Sequence, residues 1–212
     1  MMKKTIGLAL IIVTAVSACS KKSNPQPQQG QSKTVVINGT TYSTVEIGSQ
    51  TWTAVNYNGT GGANYNNSAT NDPVLGKLYT YAEAQAISLP SGWRVPTADD
   101  YNKMLSGLGG TKLDLTDYGV NNAVALEFMS TTGWTGTNGN NQLGFNAYPA
   151  GVYSQGANAF LYAGQQAFFL IETDGINVYI PLNFSVAPLQ TQVNHFFDGT
   201  LNRASLRFVK DN

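Results

Sequence analysis

SGWRVPTADDYNKML, residues 91–105, sets an arginine and a proline in front of two adjacent carboxylates and a run of apolar residues. Asp99 and Asp100 admit two readings, the acid and base of an active site or the start of a helix. Thr97 is a residue type that caps helix N-termini, and Asp100 stands three positions later, where a carboxylate reaches back to the amide of the cap. Tyr101, Met104, Leu105 and Leu108 then follow at the spacing of one helical face before Gly109-Gly110. Free amides and the helix dipole favour negative charge in a first turn by about 0.3–1 kcal/mol. Neighbours in a helical turn point about 100° apart, whereas glycosidase carboxylates face each other across a substrate. The spacing therefore favours helix-start chemistry, and Arg94 is either an ion-pair partner for these acids or a contact for a ligand.

Upstream, Thr80 and Glu83 repeat the capping pattern ahead of YAEAQAIS, which stops at Leu89-Pro90, so two helices are expected. Residues 34–57, TVVINGTTYSTVEIGSQTWTAVNY, alternate β-branched or aromatic with polar residues and are interrupted at Asn38-Gly39 and Gly48-Ser49, the pattern of a strand meander. ANYNNSATN, residues 63–71, reads as loop. Further turn signals stand at Asn58-Gly59, Gly61-Gly62, Asn138-Gly139, Asp174-Gly175 and Asp198-Gly199. Residues 133–156 and 159–182 add short strands and glycine-rich turns, and ASLRFVKDN closes the chain. The expected architecture is α+β: short, mostly antiparallel strands, two helices and long loops in one domain from residue 34 to 212.

Composition narrows the function. The 212 residues are 42% hydrophobic and 11% aromatic, enough for a proper core. Twelve basic residues balance twelve acidic ones, so no basic field exists to attract nucleic acid, and a nucleic-acid partner is not expected. No phosphate-cradling glycine motif follows a strand, which leaves nucleotide cofactors unindicated. The acids are scattered and His195 is the only histidine, so no metal site is expected; no G-x-S-x-G elbow accompanies that histidine either. We expect no cofactor and no enzymatic activity.

The N-terminus reads as an address. MMKK is a positive segment, TIGLALIIVTAV is an apolar run too short to span a bilayer, and VSAC ends on small residues. Val16-Ser17-Ala18-Cys19 resembles the lipobox of bacterial lipoproteins, which implies a signal peptide at 1–18 and a lipid on Cys19, the only cysteine. Removing residues 1–18 takes Lys3 and Lys4, leaving ten basic against twelve acidic residues. With Cys19 acylated, no thiol remains for disulfides or nucleophilic catalysis. Residues 20–33, SKKSNPQPQQGQSK, are too polar for a core and form a tether reaching about 45 Å when fully extended.

Five stretches in order, VVINGTTYSTVEIGSQTWTAVNY, GKLYTYAEAQ, SGWRVPTADDYNKML, GFNAYPAGVY and SLRFVKD, resemble the Fibrobacter succinogenes major paralogous domain of Bacteroidetes and Fibrobacteres lipoproteins. That family has no well-established activity. RVPTADDY opening a helix, with loop-rich β structure and a final strand after it, is also similar to the C-type-lectin-like fold, including its formylglycine-generating branch. The likeness implies pairing of the N- and C-terminal strands. The calcium-binding triplets of true C-type lectins and the paired cysteines of formylglycine-generating enzymes are absent from this chain. Family members commonly carry cysteines at the positions of Leu89 and Phe208, which implies that these two side chains touch here. Among lipoproteins, Ser20 after the acylated cysteine fits outer-membrane sorting. Ser20-Lys21-Lys22-Ser23 lacks the acidic residues of surface-exported Bacteroidetes lipoproteins, so the membrane face stays open.

Three function classes remain. The first is a lipid-anchored, non-catalytic domain that binds a glycan or an envelope protein, with Arg94, Trp134, Tyr148, Tyr153 and Tyr162 as candidate contacts. Those aromatics, with Phe145 and Phe160, lie among Asn, Gln and Gly, a mixture that suits sugar recognition or a core beneath long loops. Trp52 and Trp93 are expected in the core. The second class is a structural subunit of an envelope or adhesive assembly, marked by an exposed strand edge. The third is a hydrolase with two carboxylates roughly 5 to 10 Å apart in one cleft.

Overall fold

The computed structural model describes residues 33–70, 72–108, 122–172 and 202–212; of residues 122–123 and of short strands between 178 and 198 the backbone alone is described. Cys19, residues 20–32 of the tether, His195 and the turn expected at Asp174-Gly175 lie outside the described residues, while Lys33, expected to end the tether, opens the first strand. Among the described residues no helix is long and apolar enough to cross a membrane.

The meander forms as its alternation dictates. β1 (Lys33–Ile37), β2 (Thr40–Ile47) and β3 (Gln50–Thr53) are consecutive antiparallel strands, with Val35 opposite Tyr42 and Val45 opposite Trp52. Asn38 and Gly39 both sit at positive φ, 49° and 80°, which is what a two-residue turn needs to follow the strand twist. β4 (Leu78–Tyr79) leads into α1 (Tyr81–Gln85), and α2 (Ala98–Ser106) follows. Both helices carry complete capping boxes, Thr80 with Glu83 and Thr97 with Asp100, as their spacing required. α1 ends earlier than YAEAQAIS suggests. In ANYNNSATN, expected as loop, residues Tyr65–Asn67 make one 3-10 turn.

The structure contains three α-helices among the described residues where the sequence led us to expect two. α3 (Asn122–Phe128) is seven residues long and owes its place to packing: Ala125, Phe128 and Met129 enter the core. Its last carbonyls are satisfied by a distant loop, with the amide of Asn140 donating to Leu126 O at 2.9 Å, that of Leu143 to Glu127 O at 3.1 Å and that of Ala147 to Phe128 O at 2.8 Å.

β5 (Val152–Ser154) and β6 (Ala159–Leu161) form a hairpin. β7 (Gln166–Ala167), β8 (Val178–Tyr179), β9 (Leu182–Val186), β10 (Leu189–Val193) and β11 (Phe197–Asp198) add a sheet in the order β10-β9-β7 and a β11-β8 ribbon. β12 (Ala204–Ser205) pairs with β4. β13 (Val209–Asp211) joins β3, so the main sheet runs β1-β2-β3-β13 and the chain's last strand closes on the N-terminal meander. The fold is α+β, as expected.

The buried apolar residues fall into two clusters, one around Trp52, Tyr101, Phe128, Phe145 and Phe169, the other around Tyr57, Tyr79, Phe168, Leu206 and Phe208. Residues 167–171, AFFLI, separate them by strict alternation: Ala167, Phe169 and Ile171 face the first cluster, Phe168 and Leu170 the second. Leu89 packs against the cluster that holds Phe208, the neighbourhood implied for the two missing cysteines. Trp52 is fully buried, while Trp93 is only half-buried beneath the Lys210 ammonium, 5.7 Å from its ring.

Between the clusters' walls lies a charge. Arg207 is fully buried and donates from Nε to Asn56 Oδ1 (2.8 Å), from Nη1 to Thr53 O (2.7 Å) and Phe145 O (2.9 Å), and from Nη2 to Asn146 O (3.0 Å). The rings of Phe145 and Phe169 sit 4.8 and 5.3 Å from its guanidinium carbon. Burial pushes its pKa down to about 9, so it stays charged at neutral pH, and among the described residues it is neutralised by oxygen dipoles and ring faces rather than by a carboxylate salt bridge.

Candidate functional site

The two acids of residues 91–105 separate as their helical positions require. Asp99 is exposed, and Asp100 is buried in the cap. One Asp100 oxygen accepts from Thr97 N (2.9 Å), Thr97 Oγ1 (3.1 Å) and Arg94 Nε (3.1 Å); the other accepts from Gln50 Nε2 (2.8 Å) and Arg94 Nη2. Burial alone would raise this carboxyl, but the bonds from Arg94 and Thr97 outweigh it and hold the pKa below the ordinary aspartate value. Arg94 Nη2 also reaches Asp211 at 3.0 Å. Two carboxylates therefore stand close together, but a shared guanidinium joins them and one is locked in a helix cap. Asp100, held ionised in this way, is not poised as a general acid.

The same device recurs at α1 with a different outcome. Glu83 closes the capping box by accepting from Thr80 N at 2.8 Å, and it also accepts from Arg203 Nη1, at 2.7 Å through Oε1. Desolvation would raise Glu83, yet the Arg203 and Thr80 bonds hold it below its ordinary value. Arg203 is half-buried and fixed at its backbone, because its amide and carbonyl exchange hydrogen bonds with Tyr153 (3.1 and 2.9 Å). Among the described residues its Nε and Nη2 have no partner.

Beside Arg203 opens a pocket of about 240 Å³ lined by Ala63, Asn67, Tyr153, Gln155, Phe160 and Arg203. Four parts of the chain meet here. Ala63 is held by a bridge to Leu78 of β4, β4 pairs with β12, Arg203 immediately precedes β12, and the β5–β6 hairpin supplies Tyr153 opposite Phe160. The rings are stacked into one block: Phe160 lies 5.0 Å from Tyr153 and 5.1 Å, edge to face, from Tyr65. The Tyr153 hydroxyl is fixed by Asn158 Oδ1 at 2.8 Å. The side-chain amides of Asn67 and Gln155 make no hydrogen bond among the described residues and face solvent.

Of the five contacts expected from sequence, Tyr153 alone lines this pocket. Trp134 is core, 6% exposed, with its indole N–H on Ser130 Oγ at 2.9 Å. Tyr148 is half-buried, its ring so close over Gly133 that an added Cβ there would lie 2.4 Å away. Tyr162 is 42% exposed and packs on Phe168 with centroids 6.0 Å apart. Arg94 is committed to its two aspartates. Phe145 is fully buried, which leaves Phe160 as the other pocket aromatic of the set. Arg203 and Asn67 carried no local signal, since their roles come from residues brought together from distant parts of the chain. No group of three or more His, Cys, Asp or Glu side chains that could hold a metal occurs among the described residues.

No curated protein and no solved structure matches the chain, so the likeness to the C-type-lectin-like fold rests on the motifs quoted above. Residues 45–180 match the sequence profile of the Fibrobacter succinogenes major domain, a stretch that runs from β2 through α1–α3 and the β5–β6 hairpin to the end of β8. The chain belongs to the Fibrobacter succinogenes major domain family.

Proposed function

We propose that this protein is an outer-membrane lipoprotein, anchored through Cys19, whose folded domain binds an extracellular glycan or protein without catalysing a reaction. The observation that carries the binding reading is the pocket at Tyr153, Phe160 and Arg203, where a fixed aromatic block adjoins a charged donor with spare hydrogen-bonding capacity. The anchor is supported by the lipobox-like VSAC and the polar tether behind it. Absence of catalysis is supported by the state of the acids: Asp100 and Glu83 are both held ionised by arginines and helix caps. A glycan and peptide array probed with the chain and with its Phe160→Ala variant tests the binding reading. Signals that are lost with the ring support it; signals that persist unchanged place binding elsewhere. Incorporation of labelled fatty acid, abolished by Cys19→Ala, tests the anchor, and protease shaving of intact cells tells the outer face from the periplasmic one.

One observation favours the second reading, a structural subunit. β1 is paired on one side by β2 and carries no strand on the other among the described residues, with Val36 55% exposed. Light scattering of the purified chain across a concentration series separates the readings, because an assembly subunit associates and a monomeric receptor does not.

A further inference from the structure

Resting on the binding reading above, we infer that the pocket takes one neutral sugar ring, a terminal or branch pyranose, against Phe160 and Tyr153 with its hydroxyls held by Arg203, Gln155 and Asn67. Size is the first argument. Pockets for drug-sized ligands run to roughly 300–1,000 Å³, and at about 240 Å³ this one suits a single ring rather than a chain. Surface chemistry is the second. A pyranose offers C–H faces to aromatic rings and hydroxyls around its rim, and the lining pairs two rings with amides that each donate and accept.

Charge gives the third argument. Among the described residues Arg203 is the one charged residue lining the pocket, and Glu83 neutralises it through Nη1. An anionic ligand would gain little net field there, while the spare Nε and Nη2 donors suit neutral hydroxyl oxygens. Peptide capture by strand addition is disfavoured at this wall, because Tyr153 and Arg203 have already spent their amides and carbonyls on each other. The site is also prebuilt: the tyrosine hydroxyl, the guanidinium and the hairpin are each fixed before any ligand arrives, which lowers the ordering cost of a weak, small ligand.

The test is saturation-transfer NMR on the full-length chain in detergent, using the methyl glycosides of glucose, galactose, mannose and xylose, with methyl glucuronide as the anionic probe. At least one neutral glycoside is expected to bind in the millimolar range. Gln155→Ala is expected to weaken it about 3- to 10-fold, the worth of one hydrogen bond, and Phe160→Ala to abolish it. Gln155 is exposed and its side chain makes no hydrogen bond among the described residues, so its variant folds even if Phe160→Ala does not. Tighter binding of the glucuronide with steep weakening by ~0.2 M salt overturns the neutral-ring inference. So does failure of every monosaccharide to compete for an array ligand whose capture still needs Phe160, an outcome that leaves the binding reading standing. Array ligands indifferent to both substitutions place binding elsewhere and overturn the neutral-ring inference at this pocket, and an array silent to every ligand overturns the binding reading itself.

Discussion

Replacing Arg207 asks the most of this fold. Its four hydrogen bonds serve three backbone carbonyls, Thr53, Phe145 and Asn146, and the amide oxygen of Asn56, all within the protein. Removing the side chain relieves the guanidinium's own desolvation, which opposes folding, but strands acceptors that cannot move to water. A buried polar group left without its partner costs about 1–3 kcal/mol. The carbonyls keep a second lone pair for other donors, so the lower end applies to each, and four together come to roughly 4 kcal/mol before any cavity. Arg207→Met, which keeps apolar volume against Phe145 and Phe169, is therefore expected to lose about 3–5 kcal/mol, a large part of the 5–15 kcal/mol typical of a folded domain. Arg207→Lys keeps the charge but gathers its donors at one point, so it cannot span acceptors contributed by residues 53, 56, 145 and 146; a loss of about 2–3 kcal/mol is expected. Urea denaturation reads both as a shifted midpoint at unchanged slope. A methionine variant within about 1 kcal/mol of the parent refutes the reasoning, since the acceptors would then not depend on Arg207.

The remaining predictions address single groups. Asp100 and Glu83 have folded pKa values below their unfolded ones, so the unfolded chain binds protons first as pH falls. Their stabilisation is complete above the ordinary carboxylate values and disappears as pH drops through the unfolded and then the folded pKa. Asp100→Asn should flatten that acid limb in Tm measurements between pH 6 and 3, and an unchanged limb contradicts the assignment. Among the described residues the buried Tyr101 hydroxyl has no partner, so Tyr101→Phe should be neutral or stabilising by about 1 kcal/mol in denaturant unfolding. A clear loss would reveal a bond to that hydroxyl. Gly151 has φ +69°, and an added Cβ would lie 2.2 Å from Leu161 O; Gly151→Ala should cost about 3 kcal/mol or more and displace the Tyr153 hairpin. Gly156→Ala on the same hairpin meets nothing within 4 Å and should leave Tm nearly unchanged.

What could be read from the sequence was local. Both capping boxes, the Asn38-Gly39 turn and the apolar face of α2 depend on residues within four positions of one another, and each formed as its spacing requires. α3 escaped because it is only seven residues long, its Asn121-Asn122 start reads equally well as a turn, and its carbonyls are satisfied by a loop some fifteen residues on. The 125-128-129 spacing of apolar side chains was the one available clue. AFFLI concealed its division of the core, since an apolar run does not say which neighbour lies on which side. The pocket was least visible: Ala63 and Arg203 are 140 positions apart and meet only through β4 and β12.

The two capping acids explain why the proposed site lies at Arg203 and not at Arg94, which sequence had nominated. In both places a first-turn carboxylate closes the helix cap and then captures a guanidinium, the neighbouring Arg94 at α2 and the distant Arg203 at α1. At α2 the guanidinium engages through Nε and Nη2 and is shared by two carboxylates. At α1 a single nitrogen of Arg203 is engaged, and the rest of the group borders Tyr153 and Phe160. On the binding reading proposed above, the same residue type thus becomes a structural clamp at Arg94 and a recognition group at Arg203 according to how many acids reach it. If Arg203→Lys, which preserves the Glu83 pair but not the spare planar donors, bound every ligand of the parent chain as tightly, the second role would have to be withdrawn.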